Sequence, residues 1–176
     1  MNKKIFSKYR ESKGYFQKMM DDEIIKLFKY NRWQHLVIII LFKGDHLPKY
    51  STAMPRNPSP KINIPLNNNL VKVFFKAVKK NNSIEDGAIL IQIDHRPPIL
   101  RGFSYRIYPP PLNVSRSKNK GSGYNSSLDF SGVKGVVCVY YLNKGGVKKF
   151  INGEEKILYI KRVDKIFNKD YPYKAP

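Results

Sequence analysis

The chain has 176 residues, with Lys+Arg 33 against Asp+Glu 13, a formal net charge of +20 and a pI near 10. An excess of that size repels itself and does not help folding, so it points outward to a polyanion: nucleic acid first, with an anionic membrane as the rival. A single cysteine excludes an intrachain disulfide framework and a cysteine-based zinc site, and the scattered His35, His46 and His95 have no metal-ligand spacing.

Residues 1–34 are polar and basic with aromatics between the charges, and read as an extension that orders on a partner. Within it, Asp22 to Phe28 can begin a helix, with Ile24, Ile25 and Phe28 on one side. The longest apolar run, Leu36 to Phe42, falls far short of the ~20 residues that span a bilayer, so it is a buried helix or strand. No secretory signal is visible at Met1 to Phe6. Leu47 to Lys61 holds Pro48, Pro55, Pro58 and Pro60 and is an irregular connection.

Ile62 and Ile64 alternate with polar residues as in a short strand, and Pro65 ends it or confines it to an edge. Asn67 to Asn69 offer a helix cap. From Leu70 the period changes to 3.6: Leu70, Val73, Phe74, Ala77 and Val78 share a face, and Lys72, Lys76, Lys79 and Lys80 lie off it. Asn81 to Ser83 stop this helix, and Ala88 to Ile93 is a strand. Ile99 to Tyr108 is another strand, closed by Pro109 to Pro111. Asn113 to Ser127, rich in Ser, Lys, Gly and Asn, reads as a loop. Leu128 to Tyr141 is a strand region, Asn143 to Gly146 a turn, and Lys156 to Val163 a last strand. Cys138, set among valines, is a small core residue.

These elements predict an α+β fold, with a small N-terminal strand–helix–sheet lobe (35–112) beside a C-terminal, mostly antiparallel β lobe (128–163). A basic extension (1–34), a flexible basic loop (113–127) and a slightly basic aromatic tail (164–176) complete one compact domain.

Ile64-Pro65, Leu70 to Val73, Val78 to Lys80 and Ile84-Glu85-Asp86 occur in an order that resembles the ribosomal protein S-eight family of the small subunit. Pro98-Ile99, Arg106-Ile107-Tyr108, Val136 to Val139, Asn143-Lys144-Gly145 and Gly153 to Ile160 continue that collinear similarity. Tyr141-Leu142-Asn143 stands where the family has Ser-Thr-Ser, and Arg101 to Ser104 replace its Ser-Lys-Pro-Gly. The resemblance implies a structural, non-enzymatic constituent of the small ribosomal subunit. Its partners would be the central domain of small-subunit rRNA and neighbouring ribosomal proteins, with no cofactor, metal, membrane or small-molecule substrate. A rival is Asp129 to Lys134, which is similar to the start of large-subunit ribosomal protein L-fourteen, and a basic non-ribosomal subunit of an organelle complex is a further alternative. The bias toward Lys, Asn, Ile, Tyr and Phe suits an AT-rich genome, hence a mitochondrial ribosome, another organelle or a bacterial-type cytoplasm.

Under this reading RNA contacts fall in three places. The turn Asn143, Lys144, Gly145 and Gly146 combines close backbone approach with a donor–acceptor and a charge. Arg101, Ser104, Tyr105 and Arg106 offer bidentate and stacking groups. Arg116, Lys118 and Lys120 sit in the loop, and Lys72 and Lys76 of the basic helix add phosphate contacts. A processing enzyme finds little support: Glu85-Asp86 and Glu154-Glu155 are sequence neighbours that point apart on a strand, and Asp94-His95 is a lone acid–base pair.

Overall fold

The computed structural model of the chain describes residues 3–30, 36–115 and 120–161, with side chains from residue 17 onward. The helices are α1 (Lys3–Tyr30), α2 (Leu70–Lys80) and α3 (Ser122–Phe130). The strands are β1 (Val37–Phe42), β2 (Ser51–Ala53), β3 (Ile64–Pro65), β4 (Ala88–Gln92), β5 (Ile99–Ile107), β6 (Val136–Asn143), β7 (Gly146–Ile151) and β8 (Glu154–Ile160). A short 3-10 turn at Asn82–Glu85 precedes β4.

The apolar run at Val37 to Phe42 is a strand, and all six of its residues are buried. A strand buried on both faces needs no alternation, which is why periodicity left helix and strand open there. β1 pairs parallel with β4 and antiparallel with β6 in one mixed sheet of order β2-β5-β4-β1-β6-β7-β8, with β3 pairing to β5. The α+β class is therefore as expected, and β1–β6 pairing runs one sheet through both halves of the chain. Pro65 sits where its missing N–H is tolerated, in a two-residue strand bonded on one side to β5.

Two cores lie on the two faces. Val37, Ile39 and Leu41 pack with Leu70, Phe74 and Ala77 of α2 and with Met20, Ile24 and Leu27 of α1. Ile38, Ile40 and Phe42 pack with Tyr124, Leu128 and Phe130 of α3.

Three expectations are corrected. The segment 1–34 is not a partner-dependent extension throughout. Residues 3–30 are helical, and Met20, Ile24, Leu27 and Phe28, spaced at four, three and one, bury the helix's inner side. The segment 113–127 is not a loop to its end, since α3 begins at Ser122. Tyr124 and Leu128, four apart, give that polar stretch the apolar side it needs. The strand expected from Leu128 begins at Val136, after α3 and a turn. Arg116 and Lys118, and the tail 164–176, lie outside the described residues.

The asparagine cap is corrected too. Asn69 stands at the N-cap of α2 but makes no side-chain cap bond. The Leu70 amide instead donates to Glu23 Oε2 of α1 at 3.2 Å, so a buried carboxylate from another helix does the capping. Glu23 also takes Lys26 Nζ at 3.0 Å. Two residues earlier, Asp21 Oδ1 accepts from the Tyr140 hydroxyl at 2.5 Å and from Lys149 Nζ at 2.7 Å. Lys149 is a buried lysine, its side chain 4% exposed, on the middle of β7. These carboxylates tie α1 to α2 and to the C-terminal half of the sheet.

Asp21→Ala leaves the Lys149 ammonium buried without its counter-ion. The expected loss is about 3 kcal/mol of unfolding free energy in a denaturant titration, and the double change Asp21→Ala/Lys149→Met recovers most of it. Equal stability of the single variant and the parent chain would show that α1 does not depend on this tie.

Candidate functional site

A concave feature lies where β1 and β4 begin. Asn81 Oδ1 accepts from the Ser83 amide at 3.0 Å, and the Asp86 amide donates to the Ser83 carbonyl at 3.2 Å, which tightens the turn before β4. Gly87 follows with φ +98, and a Cβ there would come within 3.0 Å of the Tyr105 carbonyl oxygen. Both the left-handed backbone and the close approach require glycine. The turn and the glycine together set the Asp86 carboxylate at the head of a parallel strand, three-quarters exposed.

Arg56 holds that carboxylate. Its Nη2 donates to Asp86 Oδ2 at 3.0 Å, and its Nε donates to Ser104 Oγ at 3.2 Å. Ser104 is fully buried at φ +56, and its hydroxyl donates to the Ile84 carbonyl at 3.1 Å. Beside this relay opens a cavity of about 390 Å³. Leu36 and Ile38 form one wall, and Asn82, Ser83, Glu85 and Asp86 form the other.

The first turn of α3 packs against the cavity's Leu36, since a Cβ on Gly123 would overlap that side chain. Next to it, the Tyr124 hydroxyl donates to Glu155 Oε2, and Lys148 Nζ meets Glu155 Oε1 at 2.6 Å. Lys120 and Lys148 sit 5.1 and 5.2 Å from the Tyr124 ring centre. Burial, reinforced by Glu155, pushes the Tyr124 phenol up to about 12. Burial alone would raise Glu155, but the Lys148 and Tyr124 hydrogen bonds outweigh it and hold its carboxyl below the usual range.

The sequence-predicted contacts are spread over several surfaces. Asn143, Lys144, Gly145 and Gly146 form the β6–β7 turn, with Asn143 Oδ1 accepting from the Gly145 amide at 2.9 Å. β6 runs antiparallel to β1 with Leu142 beside Val37, so this turn lies at the same end of the sheet as Leu36. Lys72 and Lys76 are exposed on α2, across the sheet from the cavity's Ile38. Arg106 is exposed beside β2, Arg101 and Tyr105 are half-buried on β5, and Lys120 covers Tyr124. Ser104 is corrected: the left-handed backbone turns it inward, where it positions Arg56 and is not available to RNA.

Sequence reasoning missed Arg56, Leu36, Tyr124, Lys148 and Glu155 as neighbours of one region. Asp86-Gly87 directly before the apolar run Ala88 to Ile91 was the available signal. Among the described residues no group of three or more His, Cys, Asp or Glu could hold a metal ion. Cys138 is buried, and burial pushes its thiol up to about 11.

No family model matches the chain, and no curated protein matches it. Solved structures do. The hypothetical membrane spanning protein from Bacillus cereus is similar with a TM-score of 0.55 and 13% identity, over 82% of this chain and 63% of that one. The chain thus spans less than two thirds of the length of that protein. DacA from Staphylococcus aureus is similar with a TM-score of 0.52 and 16% identity, over 85% of this chain and 89% of DacA. At such identities the likeness is one of fold. No helix among the described residues is long and apolar enough to cross a membrane.

Two predictions follow from these side chains. Glu155 has a depressed pKa in the folded chain, so its stabilisation is present above the ordinary carboxylate range and is lost as pH falls through the folded value. Glu155→Gln is therefore less stable than the parent near neutrality, and the gap closes on acidification, read as melting temperature against pH. A gap independent of pH would remove the charge from the account. For Cys138, a thiol-specific disulfide reagent reacts only at the rate of unfolding at neutral pH, and rapid labelling of the folded chain would contradict its burial.

Proposed function

We propose that the chain is a nucleotide-binding domain that holds an adenine nucleotide in the cavity at the head of β4. The observation that carries this reading is the cavity itself, about 390 Å³, within the range of roughly 300–1,000 Å³ typical of small-molecule sites. Its apolar wall, Leu36 and Ile38, suits the face of a flat base. Its polar wall, Asn82, Ser83 and Asp86, offers donors and acceptors for a base edge or sugar hydroxyls. Outside the lining, Lys120 precedes α3 and offers a positive charge toward phosphates that leave the cavity, whereas Lys148 is paired with Glu155. The likeness to DacA is one of fold and leaves the ligand to be argued from the cavity's own residues. The reading departs from the expectation of a chain with no small-molecule ligand.

Calorimetric titration of the full chain with ATP and magnesium is expected to show one saturable site. Leu36→Trp, which fills the cavity from a partly exposed position, weakens binding by about tenfold or more. No heat and no rise in melting temperature with ATP would end the proposal. Mass spectrometry of the same mixture for any product formed from ATP decides whether binding leads to turnover, against the expectation of a non-enzyme.

A second reading, the small-subunit ribosomal constituent that binds the central rRNA domain, is favoured by the charge of +20 and by the exposed Lys144 in its turn. The L-fourteen-type alternative rests on the motif Asp129 to Lys134, and the organelle-complex alternative on the same charge. Comigration with the small ribosomal subunit is its test, together with Lys144→Ala. That change is expected to lower the salt dependence of RNA binding by about one counterion unit. An unchanged slope removes Lys144 from the contact.

A further inference from the structure

A second cavity, about 540 Å³, lies at the opposite end of the sheet, beyond the last residue of β1. The loop Lys43 to Tyr50 forms one side. Pro110 and Leu112, which follow β5, and the turn Gly132 to Gly135, which follows α3, form the other.

Its walls are fixed by hydrogen bonds already in place. The Gly44 amide donates to Asp94 Oδ2 at 2.8 Å, and Gln92 Nε2 donates to the Gly44 carbonyl at 2.9 Å. The Lys43 amide donates to the Gly135 carbonyl at 2.8 Å, joining the two sides. Ser51 Oγ donates to the Pro48 carbonyl at 2.6 Å, and the Leu112 amide to Asp129 Oδ1 at 2.9 Å. Although burial alone would raise the Asp94 carboxyl, the Gly44 amide helps to hold it low, so the loop anchor is ionised near neutrality. A cavity held open this way costs little ordering on binding.

The lining is two-natured. Leu47, Pro48, Leu112 and Val133 are apolar, and Leu47 remains 39% exposed. Tyr50, 43% exposed, meets Tyr108 edge-on at 6.4 Å, and Tyr108 is itself 54% exposed, so large apolar side chains gather at this mouth. Around them stand Lys43, Lys49 and Lys134, whose ammonium groups have no partner among the described residues. Of the acids here, Asp129 is buried and accepts the Leu112 amide, and Asp94, exposed behind the loop, accepts the Gly44 amide, which leaves Asp45 as the exposed acid of the lining itself. Three cations against Asp45 and the amide-bonded Asp94 leave the rim a positive balance over an apolar floor.

We infer that this cavity is a binding site for an amphipathic organic anion: a compact aromatic or aliphatic body that enters between Leu47 and Leu112, with its carboxylate or sulfonate at the lysine rim. The site is separate from the cavity at the head of β4 and does not rest on the nucleotide reading. A flexible polyanion fits less well, because the apolar floor would then be desolvated without use.

The test titrates the full chain with 1-anilinonaphthalene-8-sulfonate, whose fluorescence rises in apolar surroundings, and with uncharged N-phenyl-1-naphthylamine as its neutral counterpart. Sulfonate binding is expected to saturate at one equivalent per chain. Lys49→Glu/Lys134→Glu, two exposed changes, weakens the sulfonate by about tenfold and the neutral probe by less than about twofold. Leu47→Asp, on the exposed loop, weakens both probes by about tenfold. Unchanged melting temperatures show that the variants remain folded. Binding that does not saturate, or that is indifferent to both the charge reversal and Leu47→Asp, overturns the site. Equal loss of both probes in the lysine variant overturns its anionic character. Displacement of the sulfonate by ATP in wild-type chain and in Leu36→Trp alike would give this cavity to the nucleotide and overturn the inference.

Discussion

Burial of β1 on both faces is the constraint on which the rest of the structure depends. Its six side chains, Val37 to Phe42, have no exposed face, and burial contributes roughly 1.5–3 kcal/mol for each large apolar side chain, more than in any other segment of that length among the described residues. Such a strand must be covered twice. α1 and α2 cover one face and α3 the other, and the two cores alternate along the strand residue by residue. It must also be bonded on both edges, because a buried strand cannot leave its amides and carbonyls unpaired. The parallel partner β4 can be reached only by a crossover, and α2 lies on that path. The antiparallel partner β6 joins the C-terminal half to the same sheet.

The two cavities sit at the two ends of this strand, where the apolar run stops and backbone must turn. At its start, Leu36 still offers an apolar surface, while the turn before β4 brings Asn82, Ser83 and Asp86 alongside. At its end, the chain leaves through Gly44 and is tied down by Gln92 and Asp94 from the next strand. Both sites therefore rest on a rigid element even though loops supply most of their polar groups.

Six of the thirteen acidic residues are engaged by partners within the molecule. Asp21 and Glu23 hold α1, Asp86 pairs with Arg56, Asp94 anchors a loop, Asp129 accepts the Leu112 amide, and Glu155 joins Tyr124 to Lys148. Because the ion pairs among these take up a cation for each anion, the excess of +20 is left to the remaining lysines and arginines. That makes anionic ligands common ground for every reading of its function.

The sequence by itself determined the α+β class, the span of α2 from its 3.6-residue period, the strands near β4 and β5, the β6–β7 turn and the burial of Cys138. Each of these is written in residues adjacent along the chain, through period, proline and glycine placement, or apolar neighbours. The sequence left helix and strand open at β1 because double burial erases periodicity. It also hid most of α1 and α3, whose apolar sides are thin until a sheet face is laid against them. Only the tertiary structure decided that Glu23 caps α2 from 47 residues away, that Ser104 turns inward to hold Arg56, and that Leu36 lines a cavity with Asp86 while packing on the start of α3. Pairings of that kind depend on which strand lies beside which. That choice is made by the competition of whole faces for burial, and no local pattern records it.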